Sequence, residues 1–363
     1  MKIRLLSILS FISVCTFAQN NDIWTAFYNP DTDDIGFKNS KGEVMIKPRF
    51  RGLISARKFD KIIALMDDEN FSRVYYMLKN GKTFGKDSTY IFDMTFDCES
   101  EGFIRFHDSK TDKVGMFNHE GKIVIPAKYS DLFPVKNGMT IALQGAYKEY
   151  WEKHNEHSGC NHWSWVGGKN VLINSKNEIL VEDFPEPKSL DIYSLKVIEK
   201  PIKDENRINV LGKNGKYYSF VDNEKLFKNF IEKLIKNLNK EYLLKNSYKE
   251  IVYWDEEKGW ISAPAKDFIE KNYTILSEKL KAYFSKKDYQ LSDYTPLTEK
   301  IEKEFEHHYN NCGERDINRF PIFNLIISYY EKGKFSHQDH FNFIKTEEGI
   351  QFISCTIRNH TLK

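Results

Sequence analysis

Along the first 220 residues, apolar and polar positions alternate in short runs broken by Asn, Gly and Pro, the period-2 signature of half-buried strands. The stretch 35–46 reads as a hairpin. It has a short apolar strand (Ile35-Gly36-Phe37), a polar turn ending in Gly42 that accepts positive φ, and a β-branched strand (Val44-Met45-Ile46). The stretch 114–129 repeats it, with Gly36 to Gly115 and Gly42 to Gly121 each 79 residues apart. Half that interval, ~40 residues, locates a weaker copy at 75–82, and later echoes lie at 171–180 and 218–225. The turns are therefore expected at 42, 81, 121, 177 and about 223. Pro48 and Pro126 are expected to end the second strands, because proline has no amide hydrogen to give a ladder. One such unit cannot bury its apolar face alone, so the copies must stack into a continuous core.

Around Asp222 the period changes to 3.6. Phe227, Phe230, Ile231, Leu234 and Leu238 predict an amphipathic helix capped at Asp222 or Asn223. A second helix is expected from Ser262 or Pro264, carrying Ile269, Leu276, Leu280 and Tyr283 inward. A third is expected from Thr295-Pro296, with Leu297, Ile301, Phe305 and His308 on one side. Strands then follow over 320–330, 334–345 and 351–357 with Gly-containing turns between them. The fold class is α+β overall. An all-β repeat domain spans 19–223 with an insertion at 144–168, and an α+β domain of helices followed by an antiparallel meander spans 224–363.

Gly115, Asn118, Gly121, Lys122, Val124, Ile125, Pro126 and Tyr129 resemble the WG repeat, a unit common in bacterial exported proteins. Ile35 and Val114 stand where the tryptophan of that motif belongs, and the later copies lose the glycines. The resemblance, over about 22–223, implies a β-rich binding or assembly module and offers no catalytic residues to carry over. The C-terminal order of elements, closing on 341–353, is similar to the curved sheet of the NTF2-like or cystatin-like group. That likeness implies a pocket between sheet and helices, which some members use for catalysis.

Composition sharpens this. A chain of 363 residues exceeds the size at which one core stops growing, ~250–300 residues, so about two domains are expected. The start reads as an export signal: a basic Met1-Lys2-Ile3-Arg4, an apolar run over 5–17, and Thr16-Phe17-Ala18 as a cleavage site. Cleavage after Ala18 would send the mature chain to the periplasm, cell surface or exterior. Val14 before Cys15 does not fit a lipidation signal, and no later segment is apolar enough to span a membrane. Of 54 basic and 52 acidic residues, the signal holds only Lys2 and Arg4, so the mature chain has 52 of each sign and is neutral in both halves. Nucleic acid and anionic membrane surfaces are therefore poor partners.

Candidate chemistry gathers in the insertion. His154, His157, Cys160 and His162 offer three imidazoles and a thiol, ligands that suit Zn²⁺, and a helix over 147–156 would put His154 and His157 on one face. The same residues also read as a polar loop, or as Cys160 paired with Cys98. Trp151, Trp163 and Trp165 form either a platform for sugar rings or peptide side chains, or the packing of the insertion onto its domain. Near the C-terminus, period 2 puts His337 and Asp339 on one face with Phe335 and Phe341, an arrangement open to acid/base work or ligand anchoring, or to inert surface. Cys312 and Cys355 are the first disulfide pairing to expect, with free thiols as the alternative. No phosphate loop, Gly-x-Ser-x-Gly elbow, His-Glu-x-x-His helix or calcium loop is present. The sequence therefore points to an exported, non-catalytic binding protein for a protein, peptide or glycan. The alternatives are metal binding through the insertion, and an enzyme or small-ligand binder using a C-terminal pocket.

Overall fold

A computed structural model describes residues 22–50, 54–66, 73–151, 162–282, 288–292 and 294–363. The signal segment, and with it the expected cleavage site, lies outside these residues. Five antiparallel units come first. Unit 1 comprises Trp24–Tyr28, Ile35–Lys38 and Val44–Phe50, with Lys58–Phe59 on its edge. Unit 2 comprises Ile62–Met66, Val74–Leu78 and Thr83–Phe84; unit 3, Phe103–Asp108, Lys113–Asn118 and Ile123–Tyr129. Unit 4 runs Asp131–Leu132, Met139–Tyr150, Trp163–Asn174 and Ile179–Val181, and unit 5 joins Leu190–Ile198, Arg207–Leu211 and Tyr217–Asp222.

The first four expected turns are where the repeat puts them, and their chemistry is visible. Asn39 Oδ1 accepts from the backbone N–H of Lys41 and Glu43 at 3.0 and 2.9 Å, and Asn118 and Asn174 do the same in units 3 and 4. Gly42, Gly81 and Gly121 close those turns at φ of 82°, 82° and 73°, and Asn177 takes the same left-handed place at 65°. The fifth expectation is corrected. The unit 5 hairpin turns at Gly215, not at 223, because Asp222 already caps a helix there. Unit 5 also places its first strand beside its last, so its sheet order differs from that of the other units.

The prolines are corrected as well. Val44–Phe50 and Ile123–Tyr129 continue through Pro48 and Pro126, which sit in bulges where the register slips. The bulged backbone presses on the repeat's first glycine. A Cβ on Gly36 would meet Ile46 O at 2.6 Å, and one on Gly115 would meet Ile125 O at 2.7 Å and the Phe106 ring at 2.5 Å. Only glycine fits.

Stacking of units makes the core. In unit 2, Ile63 and Leu65 join Phe37 and Phe59 of unit 1, while the alternate residues Ile62, Ala64 and Met66 join Phe106 and Phe117 of unit 3. The inner sheets of units 2, 3 and 4 each supply two cores and the end units one, so removing an inner unit exposes both its neighbours.

In the C-terminal domain, α1 (Asn223–Lys236) is capped by the Asp222 side chain and followed by α2 (Lys240–Lys245). A hairpin of Ser247–Asp255 and Gly259–Pro264, not anticipated by the periodicity, precedes α3 (Ala265–Lys281). The third helix, α4 (Glu299–Glu304), starts three residues later than its Thr298 cap's upstream Thr295-Pro296 suggested. The expected meander is Ile322–Glu331, Lys334–Thr346 and Gly349–Thr356. With Asp288–Ser292 on the edge beside Ile322–Glu331 a six-stranded sheet results, with Gly349–Thr356 pairing antiparallel to its meander neighbour and parallel to Ser247–Asp255. Phe227, Phe268 and Leu276 from α1 and α3 pack with Phe341, Phe343 and Phe352 on one face of it.

The two domains are joined by a strap over 309–319. Asn311 O accepts from Arg57 and Lys58 N–H at 2.8 and 3.0 Å, and Lys136 Nζ lies 2.6 Å from Asp316 Oδ1. Asn318 Nδ2 donates to Leu190 O at 3.2 Å. A disulfide joins Cys98 to Cys312, Cα atoms 5.6 Å apart, which corrects the expected Cys312–Cys355 pairing. Cys355 is a free, fully buried thiol in the core under α3.

Candidate binding arm

The described part of the insertion is a β-ribbon. The expected helix over 147–156 is corrected for its described part: 147–150 lies in Met139–Tyr150, paired residue by residue with Trp163–Asn174. Tyr147, Tyr150, Trp163 and Trp165 are aromatic residues that suit strands, so cross-strand pairing wins over the helical spacing of the two histidines. Beyond Leu143 and Leu172 neither strand has a third strand partner among the described residues, so past the contacts of Ala146 with Ser130 and of Asn170 with Phe184 the ribbon leaves unit 4 as a two-stranded arm. Positive φ at Gly145, Gly167 and Gly168 lies at the arm's root, where a Cβ on Gly168 would stand 2.6 Å from Ala146 N.

Paired residues share a face, so one face carries Lys148, Tyr150, Trp163 and Trp165. The Trp163 and Trp165 rings meet edge to face at 4.9 Å, and Lys148 Nζ sits 4.7 and 5.5 Å from their centroids. Lys148 also reaches Asp112 at 2.9 Å, and His107 Nε2 meets the same carboxylate oxygen at 2.8 Å. Hydrogen bonds from Lys148 and His107 hold the Asp112 carboxyl below its ordinary range. This trio ties the arm's root to unit 3. Nothing in the sequence spacing signals it, because its members come from three different strands and turns. Toward the tip Trp151 is 68% and Tyr147 58% exposed, and the His162 ring stacks on Trp151 at 5.7 Å.

The other candidates fall elsewhere. His154, His157 and Cys160 lie outside the described residues, and of that Zn²⁺ set only His162 is placed, exposed at the arm. His337 and Asp339 do not form a pair. Asp339 is fully buried with its carboxylate 3.0 Å from Lys279 Nζ of α3, while His337 stacks on Tyr329 at 4.5 Å and its Nδ1 lies 3.1 Å from Ser336 Oγ. Burial alone would lower the Lys279 pKa; the Tyr329 hydroxyl and the Asp339 carboxylate reverse this and raise it.

Between strap and repeats lies a cleft of about 830 Å³, yet its charges are spent on one another. Arg105 pairs with Asp97 at 2.5 Å, Lys136 with Asp316, and Tyr193 with Glu101 at 2.9 Å. Beside it His307, His308 and Glu347 converge. Arg315 donates to His308 Nδ1 at 2.9 Å, which places the imidazole's own proton on Nε2 and leaves that ring without a lone pair for a metal.

Residues 115–147 match the family model of the WG containing repeat. The matched segment is the unit 3 hairpin with its bulge, the link to unit 4 and the first strand of the arm as far as Tyr147, so the chain carries a WG-containing repeat and the arm grows directly from it. No curated protein matches the chain.

Proposed function

We propose that this is an exported, non-catalytic binding protein whose WG-repeat half presents the arm to a protein or peptide partner. The observation that carries the reading is the arm itself. It combines strand edges able to accept another strand with exposed Tyr150 next to Trp163 and Trp165 on one face, and exposed Tyr147 and Trp151 on the other. Main-chain pairing along an edge with aromatic anchors is a polypeptide's mode of recognition; the arm's neutral setting offers nothing specific to phosphate backbones. Export is supported by the Cys98–Cys312 disulfide, a bond that persists in oxidising compartments. Among the described residues no helix is long and apolar enough to cross a membrane. A non-catalytic role accords with the burial of Asp339 in its ion pair with Lys279.

The chain lacking residues 1–18 is screened against arrays of extended peptides and of glycans, beside Trp151→Ala and Tyr147→Ala. Both side chains are exposed, so the variants keep the wild-type melting temperature. Peptide capture by the wild type, weakened about ten-fold or more in each variant, is expected. Equal capture by wild type and variants, or capture of glycans alone, overturns the reading. Export is checked separately by N-terminal sequencing of the protein recovered outside the cytoplasm, which should begin at Gln19.

A further inference from the structure

The C-terminal sheet has a second face. Along Lys334–Thr346 alternation sends Asp339, Phe341 and Phe343 toward the helices and Gln338, His340 and Asn342 to the opposite side. One end of that side is closed, where Ile301 and Phe305 lie over Val252, Ile322, Ile344 and Ile353. The other end is an open groove of about 520 Å³, within the usual range of small-ligand sites.

Asn324, Gln338 and His340 form its floor, and Trp260, Tyr294 and Arg358 stand among its walls. Trp260 is 38% and Tyr294 69% exposed. Although 29% of the chain is charged, no Asp, Glu or Lys is among the described residues that line the groove. Among the described residues no carboxylate pairs with the exposed Arg358 guanidinium, the cationic side chain of the groove's described lining. The floor is half spent. His340 Nδ1 lies 3.2 Å from Asn324 Oδ1 and must carry the proton, and Gln338 Nε2 donates to Ser328 Oγ at 3.0 Å. Unspent among the described residues are the His340 Nε2 lone pair, the Gln338 carbonyl oxygen and the Asn324 amide hydrogens, two acceptors and one donor group. Inorganic anions bring mostly acceptors and match such a floor poorly. Hydroxyl groups both donate and accept, and the apolar face of a sugar ring lies flat on aromatic walls. An ammonium group, by contrast, would find no acidic residue among the described lining and a guanidinium opposing it.

We propose that this groove binds a uronic-acid sugar, its carboxylate on Arg358, its ring against Trp260 and Tyr294, and its hydroxyls on Gln338, His340 and Asn324. The site is independent of the arm and belongs to the domain that the WG repeat does not reach.

Titration calorimetry of the chain lacking residues 1–18 with a galacturonic acid trimer tests it, with the neutral galactose trimer and inorganic phosphate as comparisons. Saturable binding of the acidic trimer is expected, with the neutral trimer and the Arg358→Gln variant each weaker by about ten-fold or more, the worth of a lost charge-assisted carboxylate pair. Tyr294→Ala should weaken it too, while Trp151→Ala on the arm leaves it unchanged. Arg358 is exposed, so its variant should melt with the wild type; if it does not, Tyr294→Ala carries the test. Absence of binding, equal affinity for the neutral trimer, competition by phosphate at the trimer's own concentration, or wild-type affinity in either groove variant overturns the proposal.

Discussion

At the scale of single residues, the repeat's first glycine and one histidine carry sharp consequences. Gly115 faces a bulged strand whose Ile125 carbonyl and Phe106 ring leave no room for a methyl group, and neither backbone nor buried ring can move aside cheaply. Gly115→Ala should destabilise the protein by about 1–3 kcal/mol in urea unfolding, whereas Gly138→Ala, with open space around its Cβ position, suffers only the cost of its positive φ. His308 is buried against Phe320, ring centroids 3.8 Å apart, and burial, with Arg315, His307 and Arg319 nearby, holds its pKa down at about 3. The unfolded chain takes up this proton near pH 6.5 and the folded chain does not until about 3, so stability is full above pH 6.5 and falls as pH drops through that window. The component is about 1.4 kcal/mol per pH unit, and it should vanish in His308→Gln when melting temperatures are compared from pH 7 to pH 4. Neither effect is visible from residue type alone. A glycine in a strand pattern marks a close approach without saying to what, and His307-His308 reads as an ordinary helix face until Phe320 is stacked upon it.

At the scale of elements, periodicity was a good guide where one face is buried and a poor one where two features compete. The turns at 42, 81, 121 and 177 follow from Asn and Gly chemistry that is entirely local. The echo at 218–225 misled because Phe220 and Val221 continue a strand into a helix cap, so apolar alternation and capping overlap in the same five residues. The 147–156 segment misled in the opposite direction: helical spacing of histidines was weaker than pairing with the Trp163–Asn174 strand, a partner only tertiary folding supplies. Between α3 and the sheet, Lys279 and Asp339 show what element packing adds. Lys279→Met would leave the Asp339 carboxylate buried without its countercharge, at a cost of about 3–5 kcal/mol, and the double variant Lys279→Met/Asp339→Leu should recover most of that loss in chemical denaturation. Because the Lys279 pKa is raised, its contribution is complete below pH 10.5 and is lost only as pH rises through the raised value.

At the scale of the whole molecule, the strap over 309–319 makes one body of two domains, and the Cys98–Cys312 disulfide closes a loop 214 residues long. Cys98→Ser or Cys312→Ser should lower unfolding stability by about 2–5 kcal/mol, read by calorimetry, with reductant shifting the wild type and not the variants. Chain order alone allowed Cys312 to seek its nearer neighbour Cys355; the core under α3 holds that thiol out of reach. The sequence by itself determined the first four units and their turns, the helical switch at Asp222 and the neutrality of both halves, because alternation, turn residues and charge are properties of neighbours along the chain. Tertiary structure alone decided which glycines lie under bulges, that the insertion forms an aromatic arm, which cysteines join, and that Asp339 is buried while Arg358 faces an open groove. Those outcomes depend on residues brought together from up to 214 positions apart, and burial and unpaired charge exist only once that meeting has occurred.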